Sequence, residues 1–182
     1  MKFSVCAIDR DLSPDIPFPL RGKSYEECAA LASRLGFDGY EDILTDSVSR
    51  VLEYAEGIRT PMVMEQINRR DGDVFCSTDR TMRFLEKFHS DWLVYNGDTY
   101  HMLSEDPDIP AAIRRSLSKL VLFHVSDENR ALPDDRHFNF HEAATVLKES
   151  GYDKWVSIEC KPLPNSAEAT RQGYAYLKRV FG

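Results

Sequence analysis

Short apolar runs alternate along the chain with longer stretches whose apolar positions recur every three or four residues. The short runs read as buried strands and the longer stretches as amphipathic helices. Residues 3–8 (FSVCAI) open the series as a strand. Residues 24–35 follow as a helix, with Ser24 as N-cap, Glu27 three residues later and Gly36 as terminator. A short second strand is expected over 37–41 (FDGYE), and residues 50–57 read as the end of a helix closed by Gly57. Strands over 61–66, 92–96, 119–125 and 154–159 are then separated by helices over 78–89, 108–117 and 139–150, and residues 166–181 close the chain as a helix. Pro110 falls in the first turn of its helix, where a missing N–H costs nothing. Six strands, each followed by a helical segment, imply an α/β fold of parallel strands covered by helices.

In parallel α/β folds ligands bind at the carboxyl ends of the strands. Polar residues that end an apolar run are therefore the informative ones. Glu65 ends the run in VMEQ, Asp98 follows WLVYNG, His124 closes LFH, and Glu159 closes SIE. Three carboxylates brought together would repel one another and raise each other's pKa values, a conflict that a divalent cation removes. Oxygen ligands with one imidazole suit a hard or borderline ion, with Mn²⁺ first and Mg²⁺, Co²⁺ or Zn²⁺ as alternatives. Glu41 also ends a predicted strand and is a candidate to line the pocket. His101 follows Asp98 by three residues, close enough to reach the same site.

Charge and composition narrow the partners. The 182 residues carry a formal net charge of −7, so no basic excess exists to neutralise nucleic-acid phosphates or an anionic membrane surface. No apolar run approaches the roughly 20 residues of a membrane span. Cys6, Cys28, Cys76 and Cys160 show no CxxC pairing, which argues against a disulfide or zinc-ribbon framework and makes a reducing cytoplasm the expected location.

The segments VMEQINRRDG, NGDTYHMLSEDPDI, LFHVSDENRALPDDRHFNFHEAATVL and GYDKWVSIEC resemble the sugar phosphate isomerase/epimerase superfamily, the xylose isomerase-like TIM barrel group that includes the ketose 3-epimerases. The resemblance implies a (β/α)-barrel whose metal is held by Glu65, Asp98, His124 and Glu159. It implies that Glu65 and Glu159 also act as the acid/base pair, and that His101 and Arg130 bind substrate oxygens. A metal-stabilised enediolate, with one carboxylate on each face of the carbon, is chemistry suited to isomerisation or epimerisation. Several members of that family continue with an aromatic and a glutamate after the stretch matching Asn68–Arg69, where this chain has Arg70–Asp71–Gly72.

A complete (β/α)₈ barrel needs eight strands and typically about 250 residues. Only six βα units are counted here, and the missing two fall near residues 42–50 of a single domain spanning 1–182. Removing adjacent strands leaves open sheet edges, which favour pairing with another copy. Two functions follow: a metal-dependent sugar isomerase or epimerase, or a catalytically inactive shortened barrel that acts as a structural, self-associating protein. A DNA-repair endonuclease of related fold is disfavoured by the acidic charge and by a total of five histidines.

Overall fold

The computed structural model describes residues 1–7, 40–72 and 74–182. The chain divides into two compact units, Asp9–Met62 and the combination of Met1–Ile8 with Val63–Gly182. The helix expected over 24–35 lies outside the described residues.

In the Asp9–Met62 unit, helix α1 spans Tyr40–Gly57 without interruption. Val48, Leu52 and Ala55 lie at helical spacing and are all buried. The helix ends at Gly57 as expected, but the left-handed residue beyond it is Arg59, with φ 54°. Thr60 N–H donates back to the Ala55 carbonyl at 2.9 Å. The expected strand over 37–41 is corrected at its end: Tyr40 and Glu41 begin this helix, and residues 37–39 lie outside the described residues. Glu41 thus loses its strand-end placement, and its side chain is not among those described.

The other unit is a five-stranded sheet in the order β1-β5-β4-β3-β2. Its strands are β1 Lys2–Ala7, β2 Met62–Glu65, β3 Leu93–Asp98, β4 Leu120–Val125 and β5 Trp155–Cys160. The pairings β1 with β5, β4 with β5 and β3 with β4 are all parallel. Helices α2 (Thr78–Leu85), α3 (Thr99–Glu105), α4 (Ile109–Ser116), α5 (Phe140–Glu149) and α6 (Ser166–Val180) connect and follow them. Five strand positions thus agree with the sequence pattern within a residue or two, and α3 is an addition to it.

The strands sort their side chains by period two. On β5, Val156 and Ile158 are fully buried among apolar groups, while Ser157 and Glu159 point to the opposite face. Phe123 on β4 meets Phe181 beyond α6, with ring centroids 6.5 Å apart. That places the alternate residues Leu122 and His124 on the other face. Helix α6 packs tightly on β5, because a Cβ on Gly173 would sit 2.9 Å from the Ile158 side chain. The helix starts are set by local caps: Asp108 accepts from Ala111 N–H and Asn165 from Glu168 N–H, at 2.9 and 3.0 Å.

Candidate metal centre

Parallel register carries the strand-end residues to one place. Asp98 of β3 lies level with His124 of β4, and His124 with Ser157 of β5, two residues before Glu159. Glu65 is the last residue of β2, at the far side of β3. Glu65, Asp98, His124 and Glu159 each offer one ligand atom, and those atoms all lie within 4.8 Å of one another. Ligand atoms on one divalent ion, each about 2.0–2.6 Å from it, lie at most about 4–5 Å apart. The four residues singled out from the strand ends therefore converge on a common point.

Nδ1 of His124 is the hub. It lies 2.9 Å from Glu159 Oε2, 3.4 Å from Glu65 Oε1 and 3.9 Å from Asp98 Oδ2. Asn96, two residues before Asp98 on the same face of β3, places its amide nitrogen 3.1 Å from that same atom. Asp98 divides its two oxygens between tasks. Oδ1 caps α3 by accepting from Tyr100 N–H at 2.9 Å, and Oδ2 faces the cluster. The cap is also why α3 begins where the strand stops.

Arg130 enters the cluster from the loop after β4. Its Nη1 donates to Asp98 Oδ2 and, at 2.8 Å, to Glu159 Oε2. Its Nη2 lies 2.9 Å from His101 Nε2, and the guanidinium stacks 4.4 Å from the centre of the Tyr100 ring. His101 is held from behind: Nδ1 accepts from the Asn68 backbone N–H at 3.0 Å and lies 2.9 Å from the Asn68 amide nitrogen. A neutral ring with Nδ1 as acceptor carries its proton on Nε2, facing the site. Asp71 approaches His101 Nδ1 at 4.0 Å.

The end of β2 is braced by a buried polar network. The Tyr95 hydroxyl and the Thr78 hydroxyl both donate to Gln66 Oε1 at 2.7 Å, and Gln66 Nε2 donates to Asp106 at 2.9 Å. Gln66 directly follows Glu65, so this network fixes the backbone that presents the carboxylate.

The charges are strongly perturbed. Burial pushes the Asp98 carboxyl well above the usual carboxylate range, opposed by the Arg130 guanidinium and reinforced by the neighbouring glutamates. Burial also works against ionisation of Glu159, but hydrogen bonds from His124 and Asp98 and the charge of Arg130 bring it down to about 2. Burial disfavours the charged His124 ring, yet Glu159 and Glu65 outweigh it and raise the ring to about 9. His101 is lowered by burial and by Arg130. Meanwhile Glu65 Oε1 is buried with no hydrogen-bond partner. An orphaned buried carboxylate oxygen beside two more carboxylates and an imidazole fits a divalent ion held by Glu65, Asp98, His124 and Glu159.

Of the sequence candidates, the four candidate ligands, His101 and Arg130 come together, and Glu41 does not join them among the described side chains. Asn68, Asn96, Tyr100 and Gln66 were not singled out from sequence. Asn96 was legible in principle as the residue two before Asp98 on the same strand face. The roles of Asn68 and Tyr100 depend on loop paths that no periodicity reports. A second grouping, Asp127, Asp134 and His137, lies on the loop after β4, where Asp134 is already engaged by Arg136. No helix among the described residues is long and apolar enough to cross a membrane.

The chain is similar to several sugar epimerases. L-ribulose 3-epimerase of Mesorhizobium japonicum is 25% identical over 115 residues, 63% of this chain and 39% of the relative. The 3-dehydro-D-guloside 4-epimerase of Escherichia coli is 23% identical over 149 residues, 81% of this chain and 57% of its own. The crystal structure of D-psicose 3-epimerase from Clostridium cellulolyticum, solved with D-tagatose, superposes with a TM-score of 0.72 at 21% identity, covering 79% of this chain and 57% of that one. The fold is therefore the α/β barrel type, and the chain spans about 39–57% of the length of these curated relatives. The xylose isomerase-like TIM barrel family matches residues 22–180, most of the sequence, and the chain belongs to that family.

Proposed function

We propose that this protein is a divalent-metal-dependent sugar isomerase or epimerase that moves a proton on a carbon next to a carbonyl. The observation that carries the reading is the convergence of Glu65, Asp98, His124 and Glu159 to within 4.8 Å at the ends of four neighbouring strands. The ion, when bound, supplies an electrophile that polarises the carbonyl and neutralises charge developing on its oxygen. Mn²⁺ is the ion we expect, with Mg²⁺, Co²⁺ and Zn²⁺ as alternatives.

The chain's own groups divide the remaining work. Glu159, held ionised, takes the proton from one face of the carbon, and Glu65 returns one from the other. His101 donates from Nε2 to a substrate oxygen, its tautomer fixed by the Asn68 amide. Arg130 binds an oxygen that gains negative character. The named activities of the epimerase relatives support a small ketose or related keto-sugar as substrate. We read residues 1–182 as one barrel domain lacking about two βα units near 42–50.

The test is turnover on a panel of ketoses with Mn²⁺ supplied. Wild-type protein should epimerise at least one member, and Glu159→Gln should abolish turnover while leaving the circular dichroism spectrum close to wild type. Full activity in that variant would remove Glu159 from the mechanism. The second reading is a catalytically inactive shortened barrel that acts as a structural or self-associating protein. Tight Mn²⁺ binding without turnover of any ketose would support it.

A further inference from the structure

The guanidinium of Arg130 stands where a metal ion's bonds would have to form. One nitrogen, Nη1, donates both to Asp98 Oδ2 and to Glu159 Oε2. Both oxygens also face His124 Nδ1, at 3.9 and 2.9 Å. An ion that takes the same lone pairs cannot coexist with Nη1 in its present position, because two cations would share one set of donors within a few ångströms.

The guanidinium also fills the site incompletely. It reaches Asp98 and Glu159, while the buried Oε1 of Glu65 keeps no hydrogen-bond partner. On its other side, Nη2 faces Nε2 of His101 at 2.9 Å, and the Asn68 N–H already occupies the acceptor lone pair of that ring at Nδ1. A donor therefore meets a donor. The side chain is thus held by two good contacts and opposed by one poor one.

Its backbone is fixed while its head is movable. Asn129 and Arg130 both adopt left-handed conformations, each with φ 58°, and Lys161 N–H donates to the Arg130 carbonyl at 2.7 Å. Displacement of the guanidinium therefore needs only side-chain rotation, with the face of Tyr100 remaining beside it.

We propose that Arg130 is a resident cation of the ligand cluster that competes with the metal ion, so that loading the ion requires the guanidinium to leave Asp98 and Glu159. The inference rests on the metal-dependent reading above. In this role Arg130 is a positioning residue for the ligand cluster: it holds the buried carboxylates of Asp98 and Glu159 together before the ion binds. Loading then frees its guanidinium to meet a substrate oxygen, which orders the events as metal first and sugar second.

The experiment is calorimetric titration of Mn²⁺ alone into chelator-stripped full-length protein, comparing wild type with Arg130→Met and Arg130→Lys. Competition predicts that Arg130→Met binds Mn²⁺ about tenfold tighter than wild type, within the usual range of couplings between sites. Arg130→Lys should fall between them. The metal-free Arg130→Met protein should melt lower than wild type and gain a larger shift in melting temperature on adding Mn²⁺. A merely structural role would move affinity the other way. Arg130→Met binding Mn²⁺ equally or more weakly than wild type overturns the inference and leaves the proposed function standing. If Arg130→Met does not fold without metal, Arg130→Lys decides: affinity no tighter than wild type overturns the inference. Failure of wild type and both variants to bind Mn²⁺ overturns the metal-dependent function, and the competition with it.

Discussion

His124 and Glu159 form an ion pair whose two partners shift in opposite directions, the ring up to about 9 and the carboxyl down to about 2. For a raised histidine, the stabilising contribution is complete below the ordinary value of 6.5 and lost as pH rises through about 9. For a depressed glutamate, it is complete above the ordinary 4.5 and lost as pH falls toward about 2. The pair therefore stabilises the metal-free protein most between about pH 4.5 and 6.5. Thermal melts in the presence of a chelator should decline from pH 6.5 to 9, and Glu159→Gln should flatten that decline. An unchanged slope in the variant would dissociate the pair from stability. At this scale the four residues of the cluster were legible, because a charged or imidazole side chain ended each of four apolar runs. Asn68 was not, because its contribution comes partly through a backbone N–H, which residue identity does not encode.

Helix α6 and strand β5 show what close packing of elements demands. The Gly173 position tolerates no Cβ without movement of Ile158, which is itself fully buried. Gly173→Val should destabilise the protein by about 1–3 kcal/mol through overpacking. Denaturant unfolding monitored by circular dichroism checks this, and a change below 0.5 kcal/mol would mean that the helix can lift without cost. Most element positions were legible because burial on strands and helices leaves periods of two and about 3.6. Two elements were misread or missed for reasons of chemistry. GFDGYE has the apolar content of a strand, yet Tyr40 and Glu41 open an 18-residue helix. The 7-residue α3 is too short to show a period, and its one local signal, Asp98 as N-cap, was read only as a strand-end carboxylate.

Across the whole chain, the first strand and the last lie side by side, with Cys6 level with Glu159. That neighbourhood brings the two ends of the chain into one sheet, as closure of a barrel would require. Within the described sheet, β1 and β2 each have a neighbour on one side only. Unpaired N–H and C=O rows invite pairing with another chain. We expect the protein to self-associate at micromolar concentration. Sedimentation velocity should report a species heavier than one chain, and a monomer across that range would rule out edge pairing. That the chain is shorter than an eight-stranded barrel was legible from its length, whereas the helix over Tyr40–Gly57 was read only from residue 50, although Tyr40, Ile43, Leu44, Val48, Leu52 and Ala55 recur at helical spacing.

Asp98 joins the cluster through one oxygen and closes the first turn of α3 through the other. Rigidity conferred on that carboxyl by a bound ion must pass to the Tyr100 amide hydrogen, which the same group holds at 2.9 Å. Deuterium uptake at this single amide would therefore slow when an ion is bound. The helix start thus serves as an intrinsic occupancy gauge, readable by mass spectrometry without substrate, dye or label.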